Sequence, residues 1–209
     1  MGGIRRIGLD FDNTIVIYDQ VFVELGRQAG LLPVGFSGNK DQVRGFIRAL
    51  PDGEAKWTGL QALVYGPGIL QARMATGLAP FLDACRADGC ALFIVSHKTE
   101  YAAAAPNGTN LRQAARDWLT AQGLTGTADS PFNPDRIFFA DTRKAKIERI
   151  AALECHCFVD DLEEVFLEPS FPAHIDRHLI KLDALDLPNG PFTAWRNWPD
   201  LQKAIFGAG

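Results

Sequence analysis

The chain has 209 residues, 47% hydrophobic and 22% charged, with a formal net charge of -4, which describes an ordinary globular protein with room for one core domain and a modest insertion. Mild acidity argues against a nucleic-acid binder, which needs a basic face to neutralise phosphates. No apolar stretch approaches the roughly 20 residues of a membrane helix, and Met1-Gly2-Gly3-Ile4-Arg5-Arg6 offers neither a signal-peptide core nor a myristoylation pattern, so no membrane association and a cytoplasmic location are expected.

Along the chain, Ile4 to Leu9 is the first apolar run and reads as a strand ending at Asp10. The stretch from about residue 20 to 77 is too long for a crossover, which takes about a dozen residues, and reads as a small helical cap inserted after that strand. Within it Val43, Phe46, Ile47 and Leu50 keep helical spacing, with Asn39 as the cap and Pro51 as the stop, and Trp57, Leu60, Leu63 and Val64 repeat the pattern before Gly66. A helix over Pro80 to Asp88 ends at Gly89, and Ala91 to Val95 forms the next strand. Pro106-Asn107-Gly108 marks a loop, and Leu111 to Gln122 is a helix ending at Gly123. After a Pro-rich loop at Pro131 to Pro134 come a strand over Ile137 to Phe139, a helix over Lys144 to Leu153, and strands over Cys155 to Val159 and Leu179 to Leu182. His174 and His178 are spaced for one helix face, and Trp195 to Phe206 reads as a terminal helix.

Continuously apolar strands alternating with helices predict an α/β fold, a doubly wound parallel sheet with right-handed crossovers. The expected division is a core of residues 1–19 and 78–209 with a cap of 20–77. The four cysteines, Cys85, Cys90, Cys155 and Cys157, read as free thiols. Cys155 and Cys157 flank one residue on one face of a strand, which favours packing over metal binding.

Four signals carry chemistry. Asp10-Phe11-Asp12-Asn13-Thr14 places two carboxylates one residue apart at the end of the first strand, where parallel sheets hold their ligands. Ser96 follows Phe93-Ile94-Val95 and offers a hydroxyl for a phosphate oxygen, with His97 and Lys98 just beyond. Lys144 and Lys146 open the helix before the fourth strand, where a cation opposes the helix dipole unless something anionic lies nearby. Asp160-Asp161 ends that strand, and carboxylates converging on a point repel unless a cation such as Mg2+ offsets them. Each has a plain alternative as a turn, cap or solvated charge. Their order, with three of the four at strand ends, makes coincidence a poor account.

In this order the chain resembles the haloacid dehalogenase-like hydrolase superfamily, on Asp10 to Thr14, Ser96, a lysine and the Asp160-Asp161 pair, across nearly all of the core. The resemblance implies a Rossmann-like catalytic core and a phosphatase that hydrolyses a small phosphate monoester through an aspartyl-phosphate. Asp10 is the implied nucleophile and Asp12 the implied acid and base. Ser96, with Thr14, His97 and Lys144, would contact substrate. Lys146, the better fit for the motif lysine, would neutralise charge, Lys144 remaining the alternative or a second phosphate contact. Mg2+ is the implied cofactor, held by Asp10, Asp12 through its backbone carbonyl, Asp160 and Asp161. Asp12 separates the chain from dehalogenases and P-type ATPases, which lack that acid. The expected partner is a small phosphorylated metabolite; a phosphotransferase or mutase, or a catalytically idle binding protein on the same fold, is the alternative. Receiver domains use similar groups but carry the acidic pair first and the lysine last.

Overall fold

The computed structural model describes residues 4–105, 108–182 and 184–207, so the start at Met1 to Gly3 and the loop signal at Pro106 and Asn107 lie outside the described residues. In chain order the elements are β1 (Arg6–Leu9), β2 (Val16–Ile17), α1 (Asp19–Gln28), α2 (Lys40–Arg48), α3 (Gly53–Tyr65), β3 (Arg73–Met74), α4 (Leu78–Ala87), β4 (Ala91–His97) and α5 (Leu111–Ala121). They continue with β5 (Ile137–Ala140), α6 (Arg143–Ala152), β6 (Cys157–Asp160), α7 (Glu163–Phe166), β7 (Asp176–Ile180), β8 (Thr193–Trp195) and α8 (Trp198–Phe206).

Six strands form one sheet in the order β5-β4-β1-β6-β7-β8, and every neighbouring pair is parallel. From β1 the chain builds outward through β4 and β5, then returns to lay β6 on the other flank of β1. The winding direction therefore reverses between β1 and β6, and the carboxyl ends of those two strands open the crevice in which doubly wound sheets bind ligands. This is the α/β class that the alternation of apolar runs predicts. The central strands are apolar throughout because both of their faces are covered; Ala91 to Val95 of β4 are all buried. Gly8 of β1 has a specific reason to lack a side chain, since a Cβ there would overlap the ring of Phe158 on β6.

The chain divides into two compact units: one runs to Val16, takes up Met74–His97 and continues from Gly123, and the other comprises Ile17–Arg73 and Lys98–Gln122. The first unit holds the six-stranded sheet. Its core gathers Ile147 and Ile150 of α6 with Phe158, Val165, Phe166, Phe171 and Leu179, and Phe166 meets Phe171 edge to face at 5.2 Å. The second unit is helical. Phe22 of α1 stacks on Trp57 of α3 at 5.0 Å, and Tyr65 stands edge-on to Tyr18 at 4.9 Å. The expected cap of α2 forms as a reciprocal pair, Asn39 with Gln42. Residues 98–122, assigned to the core from sequence, group with this helical unit, where the buried indole of Trp118 on α5 donates to the carbonyl of Ala72 at 3.0 Å.

Two local expectations are corrected. His178 lies on β7, opposite Val159 of β6, so its spacing to His174 is not that of a helix face. The terminal helix begins at Trp198, with Asn197 accepting from the backbone N–H of Asp200 at 2.8 Å as its cap, and Trp195 belongs to the edge strand β8. The four cysteines are free thiols, with Cys85, Cys155 and Cys157 buried. Among the described residues no helix is long and apolar enough to cross a membrane.

Candidate active site

The ladder between β1 and β6 runs one residue past β1, because the backbone N–H of Asp10 donates to the carbonyl of Val159 at 2.8 Å. Leu9 pairs with Val159, so the next residues, Asp10 and Asp160, stand side by side at the carboxyl edge. The chain then turns back tightly. The N–H groups of Ile15 and Val16 both donate to the carbonyl of Phe11, at 2.9 and 3.1 Å, and Asn13 donates to Val16 at 2.8 Å. Asn13 adopts a φ of 57°, a left-handed conformation that glycine, asparagine and aspartate tolerate best.

The lysine arrives from α6. Thr142 caps this helix, its hydroxyl oxygen accepting from the N–H of Ala145 at 3.1 Å, and Lys146 falls on the buried face with Ile147 and Ile150. Its Nζ donates to Asp10 Oδ1 at 2.5 Å and to Asp160 Oδ2 at 2.6 Å. Asp160 Oδ1 accepts from the backbone N–H of Leu162 at 3.0 Å. Asp161 is tied to the first motif, since Asn13 Nδ2 donates to its Oδ2 at 3.3 Å. Lys146 is 1% exposed, Asp10 4% and Asp160 0%, so the three charges meet almost without water.

Burial sets the electrostatics. It pushes the Asp10 carboxyl up to about 7, with Asp160 and Asp12 adding to the rise and Lys146 pulling against it. For Lys146 burial alone favours the neutral amine, but Asp10 and Asp160 outweigh it and raise its pKa above the usual lysine range. The ammonium therefore stays charged at any physiological pH, and one cation faces two buried carboxyls and a third close by.

The donor set fits a hard divalent cation. Asp10, Asp160 and Asp161 each offer an oxygen, and those oxygens lie within 4.8 Å of one another. Hard oxygen donors gathered this closely are of the kind that Mg2+ takes, usually through a few carboxylates with the rest of its shell left to water. Oxygen-only donors suit Mg2+ over softer metals.

The other sequence-selected residues are distributed as follows. Ser96 is 1% exposed near the end of β4, level with Phe139 of β5. Its neighbour His97 points the other way and is exposed, with Nε2 at 3.0 Å from the carbonyl of Asp141, which places a proton on that nitrogen. Asp12 is half-buried within the tight turn, and its carboxylate is not one of the three oxygen donors that converge. Thr14 is fully buried, and its hydroxyl finds no hydrogen-bond partner among the described residues. The two lysines separate clearly: Lys146 meets the acids, whereas the Lys144 side chain is 83% exposed and lies 3.9 Å from Glu148, away from them. Asn13 was not singled out from sequence; the cue was an asparagine at the one position of the turn that needs a left-handed backbone.

No family model and no curated protein sequence matches the chain. Solved structures do. Protein Tyrosine Kinase A of Mycobacterium tuberculosis aligns with a TM-score of 0.61 at 17% identity, over 99% of this chain and 100% of that one. A HAD-superfamily hydrolase of subfamily IA, variant 1, from Geobacter sulfurreducens gives 0.58 at 13% identity over 97% and 95%. A predicted phosphoglycolate phosphatase from Haemophilus somnus gives 0.55 at 13% identity over 98% and 99%. At such identities the likeness is one of fold.

Proposed function

On a chain with the fold of the haloacid dehalogenase-like (HAD) hydrolases, we propose that this protein is a Mg2+-dependent phosphatase that hydrolyses a small phosphate monoester through an aspartyl-phosphate. The observation that carries the reading is Lys146 bridging Asp10 and Asp160 at 2.5 and 2.6 Å, with Asp161 in reach and Asp12 two residues beyond Asp10.

Phosphate monoesters hydrolyse so slowly unaided that up to about 10²¹-fold acceleration is required, and splitting the displacement into two in-line steps is how a carboxylate contributes. With Oδ1 of Asp10 held by Lys146, Oδ2 attacks phosphorus. The bond from phosphorus to the leaving oxygen breaks, and Asp12 gives that oxygen a proton. In the second step Asp12 takes a proton from water as the water oxygen attacks phosphorus. The bond to Asp10 breaks, releasing phosphate and restoring the carboxylate. Ser96 donates to a phosphoryl oxygen, and Lys146 keeps the charge of the nucleophile from repelling the phosphate. Asp10, Asp160 and Asp161 would hold Mg2+, which would supply Lewis-acid withdrawal of charge from the phosphoryl oxygens. The two aspartates take opposite roles because Lys146 holds Asp10, where a cation would join it, while the Asp12 carboxylate lies outside the converging donors.

Transfer to an acceptor other than water is the second reading, favoured by the likeness to Protein Tyrosine Kinase A of Mycobacterium tuberculosis. Both readings are tested by a screen of sugar phosphates, nucleotides and phospho-acids, scoring released phosphate against released alcohol with Mg2+ or EDTA. The hydrolase reading expects equal amounts of both, lost in EDTA and in Asp10→Asn. Alcohol in excess of phosphate would favour transfer, and phosphate release persisting in Asp10→Asn would remove the assigned nucleophile.

A further inference from the structure

At the C-terminal end of α4 the N–H of Cys90 donates to the carbonyl of Cys85 at 2.8 Å, and the N–H of Gly89 to the carbonyl of Arg86 at 3.1 Å. Gly89 holds a φ of 68°. Nested bonds over a left-handed glycine make a Schellman cap, and the residues at its two ends commonly touch, most often as a pair of apolar side chains. Here both are cysteines. Their Cα atoms lie no more than about 6.7 Å apart, since a 2.8 Å hydrogen bond and standard backbone bond lengths leave no longer path between them. A disulfide spans roughly 4.4–6.8 Å. The two thiols interact, and Cys90 Sγ also donates to Asp88 Oδ2 at 3.5 Å. They differ in access: Cys85 is buried, as are Cys155 and Cys157, whereas Cys90 is half-buried and meets a reagent from solvent first. Burial and Asp88 hold the Cys90 thiol up at about 11, with Arg5 and Cys85 pulling against them, and burial drives Cys85 higher still. Reaction is therefore slow near neutral pH, which suits equilibration with a small disulfide better than rapid sensing of peroxide.

We propose that Cys85 and Cys90 are an oxidisable dithiol that closes to a disulfide by exchange with a small-molecule disulfide. In the first step the Cys90 sulfur attacks one sulfur of the reagent and Asp88 takes its proton. The reagent's S–S bond breaks, and the released thiolate receives that proton. In the second step the Cys85 sulfur attacks the Cys90 sulfur of the mixed disulfide, and the displaced thiolate takes the Cys85 proton. Two protein thiols are oxidised, and the small disulfide is reduced to two thiols. The inference stands apart from the phosphatase reading.

The test incubates the full chain with millimolar glutathione disulfide at mildly alkaline pH, quenches in acid, blocks the remaining thiols with N-ethylmaleimide in denaturant, and maps tryptic peptides without reductant. Trypsin cuts after Arg86, between the two cysteines, so their disulfide joins two peptides. Wild type is expected to lose two of its four thiols to the Cys85–Cys90 linkage, with Cys155 and Cys157 blocked, and dithiothreitol should restore them. Cys85→Ala is expected to stop at one glutathione adduct on Cys90, the resolving thiol being gone, and Cys90→Ala to take neither adduct nor disulfide. Melting curves check that the variants are folded, and the wild-type map decides the matter even where one is not. Four free thiols in treated wild type, or a bond joining any other pair, overturn the proposal. So does a folded Cys85→Ala whose Cys90 takes no glutathione.

Discussion

Removing Lys146 tests the electrostatic design at its centre. Lys146→Met keeps the length and apolar stem of the side chain but leaves Asp10 and Asp160 buried, with oxygens within 4.8 Å. Two unit charges at that separation repel by about 3.5 kcal/mol at an effective dielectric constant of about 20. Loss of one partner of a buried ionic cluster costs about 3–5 kcal/mol by independent precedent, so the two figures agree. For a protein of this size each kcal/mol moves the midpoint by about 2–4 °C, and a fall of roughly 7–14 °C follows at about pH 8 in EDTA. Acid relieves the strain, because burial already raises the Asp10 carboxyl to about 7 and a proton there removes the repulsion, so the gap between variant and wild type is expected to shrink to less than half near about pH 5.5. Millimolar Mg2+ supplies the missing positive charge and should raise the midpoint of the variant more than that of wild type. The assay is differential scanning fluorimetry at the two pH values with EDTA or MgCl2. A variant as stable as wild type at the higher pH, or a gap indifferent to both acid and Mg2+, would refute the reasoning.

Asp10→Asn should lower turnover by about 10³-fold or more and, in EDTA, gain stability relative to wild type as pH rises. Burial holds the Asp10 carboxyl at about 7, above its value in the unfolded chain, so its stabilising share is full below the ordinary carboxylate range and lost as pH rises through about 7; a melting difference that does not grow with pH contradicts this. His178 has the opposite sign: burial pushes its pKa down, with Asp176 opposing in part, and its Nδ1 accepts the Trp195 indole N–H at 3.1 Å, which needs the neutral ring. Its contribution is present above about pH 6.5 and lost as pH falls through the lowered folded value, so His178→Gln should flatten the acid side of the denaturation profile. Gly8→Ala forces a methyl group into the Phe158 ring and should cost about 1–3 kcal/mol in urea unfolding. An unchanged unfolding midpoint would mean that β1 and β6 can separate more freely than their pairing implies.

The sheet was legible because its strands are buried on both faces and read as unbroken apolar runs between helices. β8 escaped notice because Thr193-Ala194-Trp195 is three residues long, too short for a run and adjacent to a helix signal. α1 was hidden by Val21-Phe22-Val23, whose β-branched side chains mask a helix held by packing, including the stack of Phe22 on Trp57. The grouping of α5 with the helical unit depends on tertiary contacts such as Trp118 with Ala72, which no local pattern records. In the site, Asp10, Asp160 and Asp161 were readable because each follows an apolar strand. The choice between Lys144 and Lys146 was not a matter of local sequence: the two are two residues apart at the start of α6, about 200° around the helix, and only the packing of Ile147 and Ile150 decides which one turns inward. Asn13 was visible as a turn residue, but its partner Asp161 could be found only in three dimensions.

The claim on which all of this rests is that the Asp10 carboxylate forms a bond to phosphorus during turnover. Acid quenching of the enzyme while it turns over a radiolabelled aryl phosphate with Mg2+, followed by peptide mapping at low pH, should place the label on the peptide bearing Asp10, and no label should appear in Asp10→Asn. Label on any other residue, or product formed with no labelled protein even when the quench precedes the second step, would contradict the account.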